Sequence, residues 1–127
     1  MQGRARLLLL LIAGALPLGA QAQSLQGLWL SGEWGGVRSV VEVAPCAEGL
    51  CGTIVDVRGG PAQEGVIGHR IFWGFTMQSD GSFSAGKLKP PGGVPQLNAR
   101  IIGLTDAALN LRACLLLICR NEEMTRL

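Results

Sequence analysis

The 127-residue chain has no tyrosine and a single histidine, and only 16% of its residues are charged. Each shortage closes off some chemistry. A general base needs an orienting partner and a nucleophile in reach, and a zinc site usually draws on several nitrogen or sulfur ligands. His69 stands alone and reads as a half-exposed polar residue in a strand. The acids Glu33, Glu42, Glu48, Asp56, Glu64, Asp80, Asp106, Glu122 and Glu123 show no paired spacing. Asp80 and Asp106 look like turn formers. The glycine pairs at 35–36, 59–60 and 92–93 open no helix, so none makes a phosphate loop. These absences lean against an enzyme. They nominate no catalytic residue and call for no cofactor and no metal.

Positive charge is also thin. The chain carries 11 Lys+Arg against 9 Asp+Glu. Arg4 and Arg6 lie in the first residues, "MQGRARLLLLLIAGALPLGAQAQS", where a short basic start precedes an uncharged apolar run from Leu7 to Leu18. Ala20-Gln21-Ala22 then places small residues at the positions a signal peptidase reads. This is the three-part pattern of a secretory signal, and it predicts cleavage after Ala22. The apolar run falls well short of the roughly 20 residues that span a bilayer. Residues 1–22 are therefore expected to be a signal peptide and 23–127 a single domain, periplasmic or secreted and not transmembrane once processed. Without Arg4 and Arg6 the two signs of charge balance. The remaining cations are scattered among acids, and nucleic-acid binding needs them clustered.

What is present is cysteine and β pattern. "PCAEGLC" (45–51) and "ACLLLIC" (113–119) each hold two cysteines with four residues between them. In an oxidising compartment disulfides are the default, although sequence alone does not choose among pairings. Local physics favours Cys46–Cys51 and Cys114–Cys119, because residues facing each other across a hairpin fall within disulfide range. Such small closed loops contribute about 2 kcal/mol each on chain-entropy grounds, and their role is to fix hairpin register. A four-cysteine zinc site and a redox couple fit less well. Export disfavours the first, and the second typically uses C-x-x-C at a helix start.

The rest alternates with period two. "VRSVVEV" (37–43) places Val37, Ser39, Val41 and Val43 on one face. "CGTIVDVR" (51–58) sets Thr53, Val55 and Val57 against Ile54 and Asp56. "GLWLSG" (27–32) precedes them, with "EWGG" (33–36) as the turn. "VIGHRIFWGFTM" (66–77) reads as a strand with Gly68 and Gly74 at bulges or close approaches. "SDGS" (79–82) carries an Asp-Gly turn signal. Further strands are expected over 82–89, 96–104, 108–116 and 118–127, with "PPGGVP" (90–95) irregular. No stretch has a capped helical period. About eight short strands joined by hairpins predict an all-β, small antiparallel up-and-down barrel.

The order of these segments resembles a known family. "GLWL" after a secretion signal, "VEVAPC", "LCGTIVDV", Gly68-x-x-Ile71-x-x-Gly74-Phe75, "DGSFSAGKLKPP", "NARI", "LNLRAC" and "MTRL" are its marks in this chain. The family is one of small exported bacterial proteins catalogued as a domain of unknown function. The resemblance covers most of residues 27–127 and implies a lipocalin-like barrel without an assigned activity. This chain departs from the pattern where "RGGPAQEGV" replaces a longer Asp- and Asn-rich segment. It also lacks the tyrosine and aspartate that follow the Gly-Lys element, and it has Met124 where a tryptophan is expected.

Two candidate sites follow. Trp29 sits at the start of the first strand, where a floor residue belongs, and Phe72 and Phe75 are candidates for the wall of an apolar cavity. They suit a small apolar or amphipathic ligand. A plainly packed barrel interior is the simpler alternative. Phe72 and Trp73 must face opposite ways. Leu115, Leu116, Leu117 and Ile118 lie inside a closed cysteine loop, where polar turn residues are the norm. They either plug the barrel end, which is the plainer expectation, or form an exposed interaction loop for a protein partner or a membrane surface. Glu122 and Glu123 divide between the two faces of the last strand. An inward Glu123 would anchor a ligand's polar end, and an exposed rim charge is the simpler reading.

Overall fold

The computed structural model describes residues 25–127; the expected signal peptide lies outside the described residues. Eight strands follow one another: β1 (Gly27–Trp34), β2 (Val37–Cys46), β3 (Gly49–Arg58), β4 (Arg70–Phe75), β5 (Gly86–Leu88), β6 (Leu97–Leu104), β7 (Ala108–Leu115) and β8 (Ile118–Arg126). Each pairs antiparallel with the next, and β8 returns to β1 to close a barrel. Closure rests on Trp29↔Arg126 and Leu30↔Thr125, helped by the Leu127 amide donating to the Leu28 carbonyl at 3.0 Å. A closed barrel leaves no edge strand to recruit another chain. Two expected strands are shorter than their pattern. Residues 66–68 form a turn before β4, and 82–85 contribute only an isolated Met77↔Phe83 bridge before β5.

Bulges decide which side chains face inward. Between Leu30↔Val40 and Glu33↔Arg38, β1 holds one residue more than β2, at Ser31–Gly32. Trp29 and Trp34 are an odd number apart and would otherwise face opposite ways. The extra residue lets both address the interior. In β3 the extra residue is Val55, which is 42% exposed while Ile54 is fully buried. In β4 an extra residue lies between Phe72 and Phe75, where Gly74 takes φ 87°. It brings both phenylalanines inside, edge to face, with ring centroids 5.5 Å apart. Trp73, between them, is only half-buried.

The core gathers at one end of the barrel around Leu25, Trp29, Phe72, Phe75, Ile54 and Leu109, all fully buried. Burying each large side chain contributes about 1.5–3 kcal/mol. The Trp29 indole N–H donates to the Leu25 carbonyl at 3.0 Å, so its one polar atom is satisfied. The Arg126 guanidinium lies 4.1 Å from the Trp29 ring centroid. It also donates to the Asp106 and Gln26 carbonyls at 2.7 and 3.0 Å. Two glycines make room for the phenylalanines. A Cβ at Gly52 would sit 2.5 Å from the Phe72 ring, and one at Gly86 would sit 2.9 Å from the Phe75 ring.

Both local disulfides form, Cys46–Cys51 and Cys114–Cys119, and no described cysteine is free. They differ in register. Cys114 and Cys119 are directly opposite, flanking a turn at Leu116–Leu117. Cys46 pairs with Gly49 and Cys51 with Ala44, so the first bridge runs diagonally around a turn at Ala47–Glu48. The strands run through both bridges, and the turns are tighter than the cysteine spacing suggested.

Candidate functional site

The two ends of the barrel differ. The β2–β3 turn, the β4–β5 and β6–β7 connections and both described chain ends gather at the packed end. The β1–β2 turn, the β3–β4 and β5–β6 loops and the β7–β8 turn surround the other. Between them opens a cavity of about 370 Å³, at the lower end of the range that small-molecule sites occupy, about 300–1,000 Å³. Its walls are mainly apolar: Val37, Val57, Val66, Ile71, Leu88 and Met124 line it, with Pro61, Pro90 and Pro91 at the loops. Ile71, Leu88, Ala113 and Met124 belong to both the lining and the core, so the packed core is the floor of the cavity.

A polar group sits on this apolar wall. Arg120, Glu122 and Met124 share the inward face of β8, and all three line the cavity. Arg120 Nε donates to Glu122 Oε1 at 2.9 Å, and the two side chains are 60% and 20% exposed. The Arg120 guanidinium lies 4.9 Å from the centre of the Trp34 ring. An ion pair this wet is worth about 0.2–1 kcal/mol, and an exposed cation–π contact about 0.5–1 kcal/mol. Their main effect is to hold a guanidinium, a carboxylate and an indole together at the mouth.

His69 lies in the turn just before β4, not within the strand, and is half-buried in the lining. Its Nε2 lies 2.7 Å from the Lys89 carbonyl, which only accepts, so this nitrogen carries the proton. Its main chain is also fixed, because the Ile54 amide donates to the His69 carbonyl at 2.9 Å. Lys89 Nζ donates to the Val94 carbonyl at 2.8 Å and secures the proline-rich loop. His69 therefore straps β4 to the end of β5. The cavity hydroxyls do not pair with it. Ser31 donates to the Gly32 carbonyl and accepts from the Ser39 amide. Among the described residues no three His, Cys, Asp or Glu side chains come together as a metal site.

The sequence-derived candidates divide between the ends. Trp29, Phe72 and Phe75 are fully buried in the floor and are not in the lining. Of the last strand's acids, Glu122 turns inward and Glu123 is exposed on the outer face. Sequence reading passed over Trp34, Arg120 and Glu122. The usable signal was that Arg120, Glu122, Met124 and Arg126 alternate along the last strand and so share one of its faces. The expectation that residues 115–118 plug the barrel is overturned. Leu116, Leu117 and Ile118 are 90%, 99% and 81% exposed, and Leu115 is 45% exposed. A two-residue turn beyond directly opposed cysteines projects away from the barrel and cannot fold back over it.

The sequence model of a bacterial family, described as "Uncharacterized protein conserved in bacteria (DUF2147)", matches residues 27–126. The chain belongs to the DUF2147 family. No curated protein and no solved structure matches it. The match runs from the first residue of β1 to the last of β8, so the DUF2147 unit is the closed barrel. The DUF2147 barrel carries two disulfides, which are at home in an oxidising compartment outside the cytoplasm. No described helix of this DUF2147 chain is long and apolar enough to cross a membrane.

Proposed function

We propose that this protein is an exported, periplasmic or secreted binding module, with residues 1–22 as its signal peptide and 23–127 as its single mature domain. It holds a small amphipathic molecule at the open end of the barrel and does no chemistry on it. The observation that carries this reading is the half-filled barrel. Trp29, Phe72 and Phe75 pack the floor, and above them an apolar cavity of about 370 Å³ reaches a polar rim at Trp34, Arg120 and Glu122. The ligand's apolar part lies against Val37, Val57, Ile71 and Met124, and its polar end reaches the rim. Mostly apolar walls with a few placed polar groups are the usual make-up of such sites.

Native mass spectrometry of protein purified from its own compartment tests this, with a fluorescence titration of long-chain amphiphiles beside it. Added small-molecule mass, or saturable quenching that Met124→Trp abolishes by filling the cavity, is the expected result. A clean ligand-free mass together with no saturable response to anionic, cationic or neutral amphiphiles removes the reading.

A second reading has its own observation, the exposure of residues 115–118. It makes the protein a cell-envelope interaction module working through that loop. In it, Leu116→Asp abolishes association and leaves the thermal midpoint almost unchanged.

A further inference from the structure

The β7–β8 tip combines features that a plain hairpin turn does not need. Leu116 has φ 55°, the left-handed region that favours glycine or asparagine, yet the position holds an apolar residue. Its neighbours Leu117 and Ile118 are also almost entirely exposed. The Cys114–Cys119 bridge lies directly beneath and holds the tip as a rigid wedge.

Below the wedge, on the outer face, Arg100 of β6 and Arg112 of β7 are direct cross-strand partners. Like charges in this position repel. Both are exposed, and neither has an ion pair or hydrogen bond from its side chain among the described residues. The next residue across the sheet is the neutral Asn121. Glu123 is the nearest acid on this face of β8, opposite Asn110 and so farther from the tip. The face nearest the wedge therefore presents two guanidiniums that hold no ion pair among the described residues.

We infer that the Leu116–Leu117–Ile118 wedge inserts into an anionic lipid surface while Arg100 and Arg112 pair with its phosphates, holding the open end of the barrel against the membrane. The inference rests on the reading of this loop as an interaction element and names its partner. Spacing agrees with charge. Leu116 stands four positions beyond Arg112, about 13 Å at the antiparallel rise. Interfacial apolar groups sink about 5–10 Å past the headgroup boundary, which leaves the arginines at headgroup level. A narrow wedge suits a fluid surface. A stable protein interface wants roughly 800 Å² from each partner, far more than one turn offers. The cavity mouth opens at this same end, so an amphiphile could pass between bilayer and cavity with little exposure to water.

Vesicle flotation of the folded chain tests the inference, comparing phosphatidylcholine with phosphatidylcholine–phosphatidylglycerol mixtures. Flotation with the anionic vesicles and little with the neutral ones is expected, weakening as salt rises. Leu117→Asp should lower partitioning at least about tenfold, and each of Arg100→Gln and Arg112→Gln about fivefold. Leu117 has no packing to lose, so thermal midpoints should not move. Leu117→Trp gives a second readout, a blue-shifted emission on adding anionic vesicles. Absence of flotation, equal flotation by Leu117→Asp, or an unshifted emission from the Leu117→Trp variant overturns the inference. If flotation fails while Leu116→Asp still abolishes association with a purified protein partner, the lipid assignment falls and the interaction reading stands.

Discussion

Two tryptophans on β1 share a motif and have opposite fates. Trp29 lies under Arg126 and Trp34 under Arg120, with both arginines projecting from one face of β8. Trp29 is fully buried, its N–H is satisfied, and its arginine is tied to two backbone carbonyls. Trp34 is 44% exposed, and among the described residues its arginine pairs with the Glu122 carboxylate alone. One pair closes the barrel and the other borders its cavity. The same side chains thus act as lock or as rim according to what fills the space beside them. At the packed end that space is taken by Phe72, Phe75 and Leu25, and at the open end the described residues leave a cavity there.

Truncating the two rings should separate these roles most strongly. Trp29→Ala removes a fully buried indole and is expected to cost about 3–5 kcal/mol. A chemical denaturation midpoint would show it as near-loss of the folded state. Trp34→Ala is expected to stay within about 1 kcal/mol of wild type, because the ring is half in water and loses only an exposed cation–π contact. It should instead weaken amphiphile binding. Equal destabilisation by the two changes would mean that the open end is packed as tightly as the floor.

Two glycines extend the contrast to the backbone. At Gly52 a methyl group would meet the buried Phe72 ring at 2.5 Å, and that ring has no room to retreat. Gly52→Ala should therefore cost up to about 3 kcal/mol, the usual range for overpacking. Gly32, in the cavity lining, would meet only the Glu123 carbonyl at 4.0 Å. Gly32→Ala should fall within about 0.5 kcal/mol of wild type. Urea melts of the two variants check both values.

These contrasts also mark where sequence reading ran out. Period-two runs, Asp-Gly and Gly-Gly turns and two close cysteine pairs were enough for eight antiparallel strands and both bridges. Facing was legible only as far as the next bulge. Past Val55 the parity assigned to β3 inverts, so Val57 lines the cavity with Ile54 already inside. Trp34 was hidden for the same reason, because the extra residue at Ser31–Gly32 is invisible without its partner strand. Trp29 read as a floor residue because its place at the start of β1 precedes every bulge. The exposure of Leu116–Ile118 inverted an expectation based on burying apolar residues, and a turn that projects beyond its barrel has no interior to enter.

Each end carries one bridge with the same sequence separation of 5, so loop entropy assigns each about 2 kcal/mol. Replacing either cysteine pair with serine should lower stability by similar amounts. Only loss of Cys114–Cys119 should also reduce vesicle flotation, because that bridge supports the wedge. Similar flotation by both variants would show that the tip needs no bracing.

The smallest expected effect lies in the β4–β5 turn at the packed end. The Asp80 carboxyl is held below its ordinary value of 3.8, first by the Ser82 hydroxyl and then by the Ser82 amide. These groups donate to Oδ1 at 2.6 and 3.0 Å. A carboxylate whose pKa falls on folding adds stability only while ionised. The contribution is complete above the unfolded-state value near ~4 and disappears as pH falls through the lower folded-state value. Asp80→Asn should therefore melt slightly below wild type at neutral pH, and the two curves should converge in acid. The group is fully exposed, so the gap should be small and should shrink with salt. A gap that widened in acid would mean that the ionised form is not what holds the turn.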